Sequence, residues 1–182
     1  MSILNSRFTD RETLQDAHAF AAQLVDGAFE HAELDERQKS IVELMGEGLS
    51  LADIFGITKD ELDALVNQAC LFIQAGDTAK ARDVLTKLAQ LEPTDERGSY
   101  LLGTTFQMEG DLERAVFFYT RFLALDATNP EGYLRLGECL MTAGERNEAT
   151  AAFRTALDFA REGKGRPGNA EHAEQMLGLL AA

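Results

Sequence analysis

The side chains best suited to catalysis or metal binding in this sequence are three histidines and two cysteines. His18, His31 and His172 are scattered, and each lies beside an acidic residue too near in sequence to share its helix face. Cys70 and Cys139 lie outside any Cys-x-x-Cys or Cys/His cluster, so the sequence indicates neither a zinc site nor a redox pair. It also contains no GxSxG, HExxH or P-loop motif. These residues predict a protein that is not an enzyme and holds no metal or cofactor.

The charge balance narrows the choice of partners. The 182 residues include 17 Lys and Arg against 31 Asp and Glu, which gives a net charge of -14. An acidic surface repels phosphate backbones and anionic lipid headgroups, so nucleic acid and membranes are not expected as partners. The same charge also keeps a protein soluble, and it would do so whether or not a binding surface is present.

Three features bear on the cellular compartment. The first 14 residues lack the basic start and apolar run of a secretory signal. No stretch of the sequence approaches the roughly 20 apolar residues that span a bilayer. Two well-separated cysteines suit a reducing compartment, where they serve as small buried hydrophobes. The sequence therefore predicts a cytoplasmic protein.

A repeat of 34 residues organises the middle of the chain. Glycine recurs at Gly76, Gly110 and Gly144, and an acidic residue follows each of them. Before the glycine, a small residue recurs at Ala69, Gly103 and Gly137, and a large apolar residue at Phe72, Phe106 and Leu140. After it, an alanine recurs at Ala81, Ala115 and Ala149, and a second large residue at Leu85, Tyr119 and Phe153. Six positions in register over three copies indicate a true internal repeat.

Each repeated position has a physical role in a pair of packed helices, A and B. The small residue and the alanine let the two helices approach closely, and the large residue fills the space between units. The glycine ends helix A in a left-handed turn, where a side chain would be strained. The acidic residue begins helix B, where the helix dipole favours negative charge. This is the tetratricopeptide pattern.

The pattern predicts an all-α fold, an α-solenoid of three tandem tetratricopeptide repeats with an N-terminal helical extension and a C-terminal capping helix. The predicted divisions are an extension over 1–61, repeats over 62–163 and a linker with the capping helix over 164–182. The repeat units fall at about 62–95, 96–129 and 130–163. In the last helix Asn169 is the predicted N-cap, His172 is expected to be solvated, and Ala173, Met176, Leu177 and Leu180 share one apolar face.

The region before the repeats contains its own helix signals. Thr9 and Glu12 form a predicted capping box, and an apolar stripe follows over about 10–31. Its members are Leu14, Ala17, His18, Ala21, Leu24, Val25 and Ala28. A second helix is predicted over about 34–47, a short helical turn after Ser50, and another capping box at Thr58 and Glu61. The stripe could be a lid, a dimer interface or packing on the repeats; its apolar surface leads us to expect a homodimer through about 8–45.

The stretch from about Gly46 to Leu157 resembles the class II chaperones of bacterial type III secretion, which hold the pore-forming translocators before export. The lead-in GLSLADIFGITKDELDAL at 48–65 is similar to the family's G-x-x-L-x-D-I-x-G-I-s segment. The second and third repeats resemble the family's at Arg97, LLG at 101–103, Gln107, the region of Tyr119, Asn129-Pro130 and ECL at 138–140. The family's first repeat helix is rich in tyrosine on its inner face, whereas Val66, Cys70 and Ile73 occupy the matching positions here.

The inner face of the stacked A helices is the predicted binding surface. Apolar side chains there would hold the anchors of an extended peptide, and Gln107 or Arg97 would satisfy its carbonyls. The predicted groove residues are Val66, Cys70, Ile73, Arg97, Tyr100, Thr104, Gln107, Met108, Leu134 and Glu138. Some of them could instead pack against the N-terminal region.

With the resemblance, the groove implies a cytoplasmic chaperone that binds an extended apolar segment of hydrophobic translocator proteins and keeps them export-competent. Two alternatives remain open from the sequence. One is a general tetratricopeptide-repeat adaptor or scaffold, and the other is a regulator that sequesters a transcription factor.

Overall fold

The computed structural model describes residues 35–181, and within them every regular element is an α-helix. The helices are α1 (Glu36–Gly46), α2 (Leu51–Phe55), α3 (Lys59–Gln74), α4 (Thr78–Leu91), α5 (Glu96–Met108), α6 (Leu112–Leu125), α7 (Pro130–Thr142), α8 (Arg146–Arg161) and α9 (Asn169–Ala181). None of these helices is long and apolar enough to cross a membrane. The all-α prediction is confirmed for this part of the chain.

Six of the helices form three A/B pairs, α3 with α4, α5 with α6 and α7 with α8. Each A helix after the first also packs against the B helix of the preceding pair. The pairs fall on the predicted units, except that α3 begins at Lys59 because Thr58 caps it there. The helix α9 packs on α8 and closes the C-terminal end of the stack.

The turns between paired helices have the predicted form. Gly76, Gly110 and Gly144 all have positive φ, between 74° and 82°. The next residue starts helix B: Asp77 and Asp111 accept a hydrogen bond from a backbone N–H in the first turn. Glu145 occupies the same position without a side-chain cap bond. The left-handed turn is thus common to all three units, and the side-chain cap to two.

The small residues of the A helices face aromatic rings of the B helices. A Cβ placed on Gly103 would lie 2.7 Å from Cε1 of Tyr119, and one on Gly137 would lie 2.6 Å from Cε1 of Phe153. Both rings are fully buried, as is Leu85 at the same position of the first unit. The glycines therefore leave the space that each ring fills.

Two apolar clusters form the core of residues 35–181. One spans the first two units and includes Leu85, Leu88, Phe106 and Tyr119. The other joins the third unit to α9, where Ala173 is buried and Met176, Leu177 and Leu180 are partly buried, as their spacing predicts. The start of α9 differs slightly from the prediction: Asn169 is its first residue, and the carbonyl of Gly168 accepts the bond from the His172 backbone.

The N-terminal elements begin at three capping boxes. Asp35 with Gln38 caps α1, Ser50 with Asp53 caps α2, and Thr58 with Glu61 caps α3. These confirm the predicted helix near 34–47, the turn after Ser50 and the box at Thr58. The predicted box at Thr9 and Glu12 and the stripe over 10–31 lie outside the described residues.

Candidate functional site

The candidate site is the face shared by α3, α5 and α7, which we call the A-helix groove. Its first wall comes from α3, where Val66, Cys70 and Ile73 are half-buried. The 34-residue period places Tyr100, Thr104 and Gln107 beside them on α5, and Met108 at the helix end is 51% exposed. The A-helix groove therefore offers partly open aliphatic, thioether and aromatic surface, which suits apolar anchors of a peptide.

Tyr100 lies in the middle of the A-helix groove and is held by neighbours from two units. Its ring packs edge-on against Tyr119, with centroids 5.8 Å apart, and against Phe122, at 5.3 Å. Its hydroxyl accepts a hydrogen bond from Nε of Arg135 at 3.2 Å. Packing on one side and a bond at the tip fix the ring, so that it offers a rigid aromatic surface.

A chain of hydrogen bonds joins the second unit to the third across the groove. The buried Tyr119 hydroxyl donates to Oε1 of Gln107 at 2.7 Å and lies 3.3 Å from Oγ1 of Thr104. Nε2 of Gln107 then donates to Oε2 of Glu138 at 3.0 Å. Burial raises the pKa of Tyr119 above its usual range, which keeps the hydroxyl a neutral donor. The orientation of Gln107 is thereby fixed from both ends of its amide.

Arg97 is tied to carboxylates on both of its sides. Its Nε and Nη2 bind the two oxygens of Asp95 at 2.9 and 2.6 Å, and Nη1 binds Asp63 on α3 at 2.5 Å. These bonds raise its pKa further above its ordinary value. Arg97 and Gln107 were expected to serve the carbonyls of a peptide. In the structure both bind neighbouring side chains, because the repeat places a complementary group 31 to 34 residues away.

The groove ends in a polar cleft of about 110 Å³ between α7 and α9. Leu134, only 4% exposed, forms part of its lining. Arg135 donates from Nη1 to Oε2 of Glu138 at 3.0 Å, and Nε2 of His172 lies 3.4 Å from Oε1 of the same carboxylate. Glu138 thus gathers groups from α5, α7 and α9. The full lining is Tyr100, Glu131, Leu134, Arg135, Arg166, Asn169 and His172.

Five of these lining residues, namely Glu131, Arg135, Arg166, Asn169 and His172, are not among the ten predicted groove residues. His172 was expected to be solvated, yet it faces Glu138 and is 41% exposed at its side chain. Arg166 in the predicted linker binds Glu131 at 2.9 Å. The sequence signal for Arg135 is its place beside Leu134 on α7. The positions of Arg166, Asn169 and His172 depend on how residues 164–182 pack against α7, and the small and large positions of the repeat do not recur there to indicate it.

The ionisable groups around the cleft are held by burial or by pairing with one another. Burial, and then the neighbouring Glu138, raises the pKa of the Cys139 thiol to about 12, so it stays protonated. Among the described residues no group of three His, Cys, Asp or Glu side chains could hold a metal ion. The charged side chains of the cleft are paired with each other: Arg135 and His172 with Glu138, and Arg166 with Glu131.

Comparison with known proteins agrees with the repeat assignment. Family models described as tetratricopeptide repeat match residues 63–95 and 107–164. A curated relative, the low calcium response locus protein H of Yersinia pestis, is 28% identical over 130 residues, which are 71% of this chain and 77% of that protein.

Solved structures of secretion chaperones share the fold. PcrH, known from Pseudomonas aeruginosa, was solved with the chaperone binding region of PopD; it is 26% identical, with a TM-score of 0.64 over 69% of this chain and 95% of that one. SycD of Yersinia enterocolitica, a type III secretion chaperone, was solved with a peptide of the translocator YopD; it is 26% identical, with a TM-score of 0.62 over the same shares. SycD was also solved as an alternative dimer. The resemblance to the class II translocator chaperones is confirmed by these matches.

Proposed function

We propose that this tetratricopeptide-repeat protein is a chaperone of type III secretion. It binds an extended apolar segment of a hydrophobic translocator in the A-helix groove and keeps that client soluble and competent for export. The observation that carries the proposal is that PcrH and SycD, which share this fold, were each solved with a segment of another protein: PcrH with the chaperone binding region of PopD, and SycD with a peptide of the translocator YopD.

The groove supports this role because one set of residues supplies apolar surface and another supplies a polar wall. Val66, Cys70, Ile73 and Met108 present apolar surface that an extended peptide would cover. Covering apolar surface stabilises a complex by about 25 cal/mol per Å² before the costs of ordering the peptide. The paired polar wall of Gln107 and Glu138 keeps its geometry without the peptide, so little of the binding energy goes into arranging the site.

The same role implies where the protein acts, how it acts and in which oligomeric state. The protein acts in the cytoplasm, where a translocator must be kept from aggregating or inserting in a membrane before export. It works by binding alone and not as an enzyme. An excess of free chaperone holds more of the client in the bound state by mass action. The protein forms a homodimer.

The experiment begins with a pull-down of the full chain from its native host, with the captured proteins identified by mass spectrometry. A large protein with apolar hairpins is the expected client. A DNA-binding protein instead would favour the regulator, and a set of envelope or pilus assembly proteins would favour the adaptor.

Calorimetric titration with the client fragment then locates the binding surface. We expect Val66→Glu to weaken binding by ~2 kcal/mol or more, because the carboxylate must lose water or exclude the peptide. Tyr100→Ala should weaken it similarly, whereas Tyr100→Phe keeps the ring and its packing and should bind more tightly than the alanine variant. Glu113→Ala, an exposed position on α6, is the matched control and should bind like the unchanged protein. Equal affinity for all four variants would place the surface elsewhere.

A further inference from the structure

One flank of α3 is open to solvent, although the same flank of the two later A helices is covered. We call it the N-terminal flank and define it by Ala64, Gln68 and Leu71, which lie on one stripe of the helix. All three are exposed, and Leu71 is 67% exposed. The same positions are occupied by Gly98, Leu102 and Thr105 on α5, and by Gly132, Leu136 and Cys139 on α7. Leu136 is half-buried, and the other five residues are buried.

The later flanks are covered by the B helix of the preceding unit. A Cβ on Gly98 would lie 3.5 Å from Cδ2 of Leu88 on α4. A Cβ on Gly132 would lie 2.6 Å from Cδ2 of Leu123 on α6. The N-terminal flank is therefore a surface shaped for a B helix, with no B helix before it among the described residues. Leu71 stands where the other units have the fully buried Thr105 and Cys139.

The sequence before α1 contains a segment with the B-helix spacing. The buried face of α4 is Ala81, Val84, Leu85 and Leu88. Ala21, Leu24, Val25 and Ala28 have the same spacing, with alanine first and large apolar residues three and four positions later. Asp16 stands where a full repeat would have its turn glycine, so the segment resembles a B helix without its own A helix.

The position of the next helix follows the repeat as well. The N-cap Asp95 comes fourteen residues after Ala81, and the N-cap Asn129 comes fourteen residues after Ala115. Asp35, the N-cap of α1, comes fourteen residues after Ala21. The chain from Ala21 to the cap of α1 is therefore as long as the chain from a B-helix alanine to the next cap, which fits a segment of B-helix length that ends before α1.

We propose that residues 10–31 cover the N-terminal flank of their own chain as a surrogate B helix. The apolar stripe of this segment supplies the partner that Leu71 and Ala64 lack, as α4 does for α5. The 27 residues 32–58, which include α1 and α2, connect the segment to α3. At the other end the chain closes its stack in the same way, with α9 on α8. The proposal does not depend on the identity of any client.

A substitution at Leu71 in the full chain tests whether the flank is covered. Leu71→Gln should lower the melting temperature by on the order of 5 °C, because a buried leucine would lose its apolar contacts. Leu179→Gln is the matched control, since Leu179 lies on α9 and is 59% exposed. If both substitutions shift the melting temperature equally little, the flank is open to solvent and the proposal fails.

Cross-linking identifies what covers the flank. In a full chain with Cys70→Ser, the pair Ala28→Cys and Gln68→Cys is treated with a short bismaleimide after isotopically light and heavy chains are mixed. We expect links within one chain. They should be several-fold more abundant than in a control that carries Ala28→Cys with Asp83→Cys instead of Gln68→Cys, since Asp83 lies on the exposed side of α4. Links only between light and heavy chains would assign the flank to a second copy. Links no more abundant than in the Asp83→Cys control would show that residues 10–31 lie elsewhere. Either result overturns the proposal.

Discussion

The glycines of the A helices, which have no side chain, determine how closely the paired helices approach as much as the large side chains do. At Gly103 the ring of Tyr119 occupies the place of a Cβ, and that ring in turn carries the hydroxyl that orients Gln107. A glycine on a packed helix face thus supports a groove residue through one intervening side chain. Its cost to helix propensity is about 1 kcal/mol relative to alanine, which the packing of the ring must outweigh.

Gly103→Ala should therefore destabilise the protein although alanine is the better helix former. The new methyl group would overlap Tyr119, and such overpacking costs ~1–3 kcal/mol; Gly103→Leu should cost at least as much. Gly178 on α9 has no atom within 4 Å of an added Cβ, so Gly178→Ala should stabilise by up to ~1 kcal/mol. Denaturant unfolding measures both. Changes of the same sign at the two positions would contradict the assigned helix contact.

The two thiols should differ in reactivity, since Cys70 is half-buried in the A-helix groove and Cys139 is fully buried. The pKa of Cys139, raised to about 12, leaves almost no thiolate at neutral pH. We expect iodoacetamide to label Cys70 in the native protein and Cys139 only after unfolding. A bound client fragment should protect Cys70, and mass spectrometry reads both positions. Labelling of Cys70 that is unchanged by a saturating client would place the peptide outside this part of the groove.

The 34-residue period determines which helix face a groove side chain lies on, but not which partner it binds. The positions of Tyr100, Gln107 and Glu138 on one face follow from the 34-residue period, because each position repeats with the helices. That Gln107 bonds Tyr119 and Glu138 requires the rotation of each helix about its axis and the choice of rotamers. Neither is encoded by spacing, so the expectation that Gln107 would be available to a peptide differs from the structure.

Elements were predictable where their signals are local. The boxes at Ser50 and Thr58 and the left-handed glycines define helix ends through residues within four positions of each other. The docking of α9 is different in kind, because the small and large positions of the repeat do not recur in 164–182, although His172 lies one repeat length of 34 residues after Glu138. The sequence therefore predicts the helices and their ends, and it does not predict the cleft between α7 and α9.

The capping boxes should make these helices sensitive to acid. The backbone N–H of Thr58 donates a hydrogen bond to the Glu61 carboxylate, and that of Ser50 donates one to the Asp53 carboxylate. These bonds are the main reason that the pKa values of Glu61 and Asp53 lie below their ordinary 4.5 and 3.8. A lowered folded-state pKa gives stability that is present above the ordinary value and lost as the pH falls through the lower one. Glu61→Gln keeps a capping side chain that does not titrate. We expect thermal melts to show a smaller loss of stability for this variant than for the unchanged protein between neutral pH and about 3; equal losses would remove Glu61 from the acid response.

The whole molecule must reconcile a stack of apolar units with a strongly acidic surface. The net charge of -14 opposes association of one copy with another, so a dimer requires a specific apolar contact. The helix α1 can supply one, because it has no buried residue while Ile41, Val42, Leu44 and Met45 are half-buried. If residues 10–31 cover the N-terminal flank, the face of α1 remains for a second copy.

We therefore predict that the full chain is a homodimer and that α1 contributes to its interface. Ile41 and Met45 lie one turn apart on the same face, and the double variant Ile41→Glu, Met45→Glu would bring four like charges into a twofold contact. Light scattering at tens of micromolar should find the unchanged protein dimeric and this variant monomeric, with the same helical circular dichroism. Leu125→Glu, on the exposed end of α6, is the control for added charge and should remain dimeric. Dilution should shift the unchanged protein towards monomer, since the association is governed by mass action. A monomeric unchanged protein at these concentrations would contradict the prediction, and a dimeric double variant would remove α1 from the interface.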